Sequence, residues 1–123
     1  MKKMPTLFVR EFGDHKVVKC LNEINKGCEW VINGEGYATE KLDGTCCMIK
    51  DNTLYRRFDY KKGRKLPEGA IPCQEKADEI TGHFPHWVLC SEENPGDKWH
   101  IKAFKEKEIW ENGTYELMGK HIN

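Results

Sequence analysis

The chain has 123 residues, enough for one domain with a modest core and near the low end for an enzyme. Hydrophobic residues make up 38% and charged residues 33%, which excludes a disordered chain, and no apolar run reaches the ~18 residues that span a bilayer. Formal net charge is zero, so no polyanionic partner follows from overall charge, and Arg10 and Glu11 interrupt the basic start before a signal-peptide core forms. The expectation is a single cytoplasmic domain over 1–123, with no membrane partner.

In chain order, Thr6 to Phe12 alternates apolar and polar residues and reads as a strand. Lys16 to Asn25 fits a strand or a short helix, because Val17-Val18 and Cys20-Leu21 follow neither period. Gly27, Asn33, Gly34 and Gly36 punctuate a loop-rich approach to an extended segment, Gly36 to Glu40. Thr45–Lys50 and Thr53–Asp59 then form a hairpin turning at Asp51-Asn52. Lys61 to Pro72, rich in Gly, Pro and base, belongs on the surface. Gln74–Ile80 suggests a helical turn or two, whereas Trp87–Cys90, Lys98–Phe104 and Thr114–Met118 read as strands, the last preceded by an Asn112-Gly113 turn. The expected class is α+β, rich in antiparallel strands.

Charge is uneven along the chain. Six basic residues (Arg56, Arg57, Lys61, Lys62, Arg64, Lys65) fall between positions 56 and 65 against one acid, Asp59. Such a stretch suits a phosphate-rich ligand, or equally a solvated hairpin end. The six cysteines lack a C-x-x-C pair, and Cys20 and Cys28 match no common zinc spacing, so buried thiols acting as small hydrophobes are expected rather than zinc or disulfides. His83, His86 and His100 each adjoin an aromatic and read as core histidines rather than metal ligands; Trp99 and Trp110 read as core rather than base-stacking platforms. Lys98, Lys102, Lys105 and Lys107 read as a solvated strand face.

Thr39-Glu40-Lys41-Leu42-Asp43-Gly44 is the segment with the most chemistry in it. A lysine amine titrates near ~10.4, so about one part in 10³ is a free nucleophile at neutral pH unless neighbouring cations or desolvation lower that value. Arg56, Arg57 and the basic loop are the cations available, and the Asp43-Gly44 turn lets backbone approach a phosphate. On an extended strand Glu40 points away from Lys41, toward the edge of a ligand. Taken alone, Lys41 is more ordinarily an exposed strand-end lysine.

Three segments in one order carry a resemblance. Glu40-Lys41-Leu42-Asp43-Gly44 resembles motif I (K-x-D-G) of the covalent nucleotidyltransferases, which comprise DNA ligases, RNA ligases and mRNA-capping enzymes. Tyr55-Arg56-Arg57-Phe58-Asp59 resembles the arginine-bearing motif Ia, and Gly113-Thr114-Tyr115-Glu116-Leu117-Met118-Gly119 resembles motif III. Cys46-Cys47, Gly69–Cys73, Thr81–Val88 and Trp99–Phe104 look like the ATP-dependent 5′–3′ RNA ligase 1 family, so the resemblance runs from about Gly36 to Asn123.

That resemblance implies a nucleotidyltransferase (ATP-grasp-like ligase) fold and an RNA ligase that works through a lysyl-adenylate. Lys41 would attack the α-phosphate of ATP, the AMP would pass to an RNA 5′-phosphate, and a 3′-hydroxyl would seal the strand. Glu40 would contact the adenine edge, Arg57 rather than Arg56 the ribose or phosphate region, and Glu116 the ribose or a hydrated Mg²⁺, for which Mn²⁺ could substitute. Asp43 and Gly44 would shape the turn beneath the phosphates. The partners implied are RNA with 5′-phosphate and 3′-hydroxyl ends, acted on by a monomer.

The sequence also departs from the family pattern. Only Lys120-His121-Ile122-Asn123 follows Gly119, so motifs IV and V and the adenine-stacking aromatic are missing. The expectation is therefore a domain incomplete at its C-terminal side, a piece of a longer ligase or an unusual short relative, with activity on its own in question. The alternatives are a non-catalytic nucleotide- or RNA-binding module, and a DNA ligase or capping-type enzyme.

Overall fold

The computed structural model describes residues 4–14, 16–79 and 81–122. Two compact units make up the chain, Met1–Glu40 and Lys41–Asn123. In the first, β1 (Phe8–Gly13) and β2 (Lys16–Ile24) form an antiparallel two-stranded sheet. The strand reading of Lys16–Asn25 therefore prevails over the helical one. Asn25 closes the unit by donating from Nδ2 to the carbonyls of Thr6 (2.6 Å) and Phe8 (3.0 Å). A four-residue helix, α1 (Glu29–Ile32), follows, and Gly36–Glu40 runs as irregular exposed chain rather than as the extended strand expected.

The second unit is a five-stranded sheet. Its strands are β3 (Thr45–Lys50), β4 (Thr53–Tyr60), β5 (Ile71–Pro72), β6 (Phe84–Leu89) and β7 (Gly113–Leu117), in the spatial order β5-β6-β4-β3-β7. All neighbours are antiparallel. The β3–β4 hairpin forms where expected, because Asp51 and Asn52 both take positive φ (50° and 53°), as a two-residue hairpin turn with the correct twist demands. Side chains of the turn region then reach across to the approach to β7. Asn52 donates from Nδ2 to the Glu108 carbonyl (2.9 Å) and accepts from the Trp110 N–H (3.1 Å), while Asn112 Oδ1 accepts from the Asp51 N–H (2.7 Å).

Two expectations are corrected. Lys98–Phe104 is not a strand but a helix, α2, entered through a short 3₁₀ turn at Pro95–Asp97. Asn94 caps that turn by accepting from the Gly96 N–H (3.0 Å), and Pro95 presets the first helical φ. Lys98 and Lys102 accordingly lie on a helix, each with its ammonium over the Trp99 ring (5.1 and 5.4 Å), not on a solvated strand face. Gln74–Glu79 forms bends and a turn in place of a helical segment; Ile80, the expected end of that segment, lies outside the described residues.

One sheet face meets α2. Cys47, Ile49, Leu54 and Cys90 form its buried centre, with Ile101, Phe104, Trp110, Tyr115 and Leu117 packed against them. Burial pushes the Cys47 thiol up to about 11 and the Cys90 thiol up to about 12, so both remain protonated hydrophobes at neutral pH. Among the described residues no disulfide links the cysteines, and no cluster of three or more metal-ligating side chains forms. His86 and His100 are core residues, at 3% and 8% exposure; His86 Nδ1 lies 2.7 Å from the Phe84 carbonyl. Trp110 belongs to the same core region through its N–H to the Phe104 carbonyl (2.9 Å). Among the described residues no helix is long and apolar enough to cross a membrane.

Arg56 on β4 faces this same side and pairs with Asp97, which is 1% exposed. Arg56 Nε approaches Asp97 Oδ1 to 2.7 Å, off the line of a well-formed hydrogen bond, so the contact is mainly an ion pair. Asp97 Oδ2 accepts from the Ser91 N–H and from Asn94 Nδ2, both at 3.1 Å. Asp97→Ala would strand a half-buried guanidinium and is expected to cost about 3 kcal/mol in urea unfolding. Asp97→Asn, whose amide oxygen still accepts from Ser91, should cost less. Nearby, burial holds His100 below the usual imidazole range, Arg56 pushing the same way and Asp97 opposing. The unfolded chain therefore binds the His100 proton first on acidification, so stability is full above about pH 6.5 and falls as pH drops toward the folded value. A pH series of thermal melts should show this acid-side loss reduced in His100→Leu.

Candidate functional site

The face of the sheet away from α2 brings together two of the residues singled out in the sequence. Cys46 on β3 lies directly opposite Glu116 on β7, and directly opposed residues share a face. Cys47 opposes Arg56, so one residue on, where the pleat reverses, Arg57 on β4 falls on the Cys46 face. Arg57 and Glu116 thus flank Cys46 from either side of β3. The electrostatics agree: burial raises the Cys46 thiol pKa, Arg57 lowers it, and Glu116 and Asp59 raise it.

Arg57 is 42% exposed and pairs with Asp59 two residues on (Nε–Oδ1 3.4 Å). A pair this exposed is weak, so the guanidinium can exchange Asp59 for an anionic ligand at little cost. Trp87 on β6 opposes Arg57 and is 5% exposed, giving that side of the face an apolar floor. Asp59 and Trp87 were not singled out as site residues in the sequence. Counting by twos from Arg57 would have found Asp59, but Trp87 needed the β4–β6 register.

Arg56, offered by the sequence as a second cation for this site, is turned to the other face and held by Asp97. The basic residues of the loop, Lys61, Lys62, Arg64 and Lys65, are all exposed, with a turn closed by the Arg64 N–H on the Lys61 carbonyl (3.1 Å).

Lys41, Leu42 and Asp43 are exposed irregular chain leading into β3. Gly44 is where this lead-in meets the sheet. A Cβ there would sit well inside contact distance of the Leu117 carbonyl oxygen and 3.0 Å from Glu116 Cγ. The glycine is needed for space rather than for a turn conformation, and it brings the Lys41 segment beside the Glu116 end of β7. Lys41 lies three residues before it, within about 10 Å along extended chain. Glu40 is the last residue of the first unit and is exposed. For a divalent cation this face offers Glu116 as one exposed carboxylate, which fits Mg²⁺ held mainly by water and ligand phosphates rather than by a protein cage.

Fold and face together define a small α+β domain whose antiparallel sheet presents an arginine and a glutamate on one side. Compared with known proteins, the chain matches no family model and no curated sequence.

Gly44→Ala is expected to displace the end of β7 and to lower stability by about 1–3 kcal/mol. The check is denaturant unfolding together with amide NMR shifts, which should move first at Glu116 and Leu117.

Proposed function

We propose that this protein is an adenylyltransferase of the RNA ligase type, with Lys41 as the residue that becomes adenylylated. The observation that carries the reading is the common face of Arg57 and Glu116, with the Lys41 lead-in brought to its edge by Gly44. In the first step the Lys41 amine, having lost a proton, would form a bond to the α-phosphorus of ATP as the bond to pyrophosphate breaks. Catalysis of that kind rests on positioning and on neutralising phosphoryl charge. Arg57 would supply the cation, exchanging Asp59 for a phosphate or ribose oxygen. Glu116 would orient the ribose or hold a hydrated Mg²⁺, whose part is to neutralise phosphate charge. Glu40 would read the adenine edge, and Asp43 would help shape the chain beneath the phosphates.

The later steps would move AMP to an RNA 5′-phosphate and release it as a 3′-hydroxyl attacks. RNA as substrate, an RNA ligase 1 relationship and a monomeric, cytoplasmic protein rest on the resemblance and composition given above. A second reading, a nucleotide-binding module without chemistry, is favoured by one observation: only one of the two hairpin arginines faces the site, which leaves less positive charge to activate a lysine.

Incubation with α-labelled ATP and Mg²⁺ followed by denaturation separates the two. The ligase reading expects label on the protein, lost in Lys41→Ala and lowered about 10²-fold in rate by Arg57→Ala or Glu116→Ala. Both of those side chains are exposed, so thermal melts should change little. ATP binding without label would establish the module, and label surviving Lys41→Ala would remove the nucleophile assignment.

A further inference from the structure

On the opposite side of the sheet from Arg57 and Cys46, a cleft of about 290 Å³ opens between the sheet and α2. Ile49, Leu54, Phe104, Trp110, Tyr115 and Leu117 supply most of its wall, and Glu116 and Met118 border it at the end of β7. His100 lines it too, more than nine-tenths buried, and neither ring nitrogen has a hydrogen-bond partner. The other polar groups of the aromatic wall are satisfied. Trp110 donates to the Phe104 carbonyl (2.9 Å), and the Tyr115 hydroxyl donates to the Glu111 carbonyl (2.9 Å).

We propose that this cleft is a binding site for a small neutral aromatic molecule with one hydrogen-bonding substituent, of the phenol or indole class, oriented by His100. The size fits: an apolar cavity of about 150 Å³ already takes benzene, so this one admits one ring or two fused rings. Phe104 and Trp110, stacked at 6.0 Å with planes 16° apart, and the Trp110–Tyr115 edge contact at 5.4 Å supply aromatic surfaces for offset or edge packing. A neutral imidazole offers one N–H donor and one bare nitrogen acceptor, so it can satisfy a single hydroxyl or ring N–H. Its burial favours that neutral form.

The same features exclude other ligands. An anionic ligand would lose its hydration against an apolar wall whose one charged lining residue, Glu116, is itself an anion. A nucleobase brings several edge donors and acceptors to a wall whose only unpaired buried side-chain nitrogens are those of His100, and most would go unmet. The site lies on the face opposite Arg57 and Cys46, so it does not depend on the ligase reading.

Titration of the intact chain with phenol and, separately, benzene, followed through the histidine ring C–H resonances, tests this. Phenol should produce a saturable shift at His100 with a Kd of about 1 mM or tighter. It should bind about three- to tenfold more tightly than benzene. His100→Leu should erase that preference while benzene still binds, and Ala103→Phe, which puts a ring on the cleft wall, should abolish both. Absence of a saturable shift in the unaltered protein up to about 10 mM phenol, tenfold above the expected Kd, would mean the cleft holds water alone and would overturn the proposal. Equal affinity for phenol and benzene in the unaltered protein would overturn the role of His100 without recourse to any variant.

Discussion

Strand β3 is hydrogen-bonded along both edges, to β4 on one side and β7 on the other, and the second unit is organised by its register. Cys47 and Ile49 point to the helix-covered face, while Cys46 looks the opposite way, between Arg57 and Glu116. A slip of one residue would exchange these faces, putting a thiol and charged groups into the core and the core residues into water. Three features pin the register. The tight Asp51-Asn52 turn fixes β3 against β4, the Asn52 and Asn112 side chains tie that turn to the approach to β7, and Gly44 accepts the close passage of β7.

The buried Arg56–Asp97 pair works alongside that register. It links the middle of β4 to the start of α2, and the Ser91 and Asn94 contacts of Asp97 hold the loop that feeds the helix. The two adjacent arginines of the hairpin are thereby separated in role. Arg56 is a structural cation matched to a buried carboxylate, and Arg57, one residue later on the opposite face, keeps an exposed guanidinium with only a weak partner. Two arginines that read in sequence as one patch of positive charge are divided by the pleat between a core face and an exposed face.

The sheet consequently separates two environments with different chemistry. One face carries an exposed arginine and glutamate, with a lysine-bearing lead-in at its edge. The other is largely aromatic and apolar, with the Arg56–Asp97 pair beside the helix start and an unsatisfied imidazole, His100, at a cleft.

Much of this was legible in the chain itself. The β3–β4 hairpin, its turn, β7 and the placing of Arg56 and Arg57 on opposite faces of the sheet all follow from period-two alternation and turn chemistry, which are local and strong over those residues. Lys98–Phe104 misled because seven residues alternating Trp99, Ile101 and Ala103 with polar neighbours satisfy a strand pattern as well as a helical one. The deciding signal, Asn94 capping a turn with Pro95 at its first position, lies upstream of the segment. Gln74–Glu79 shows the reverse error, helix-forming residues that bend instead because no apolar face commits them to a helix. What only the tertiary structure decided is the pairing of distant residues: Arg56 with Asp97, Gly44 with Leu117, Cys46 with Glu116, and His100 with a cleft it lines but does not fill. Each of these depends on strand order and on the side of the sheet to which α2 returns, and periodicity along one segment carries no information about either.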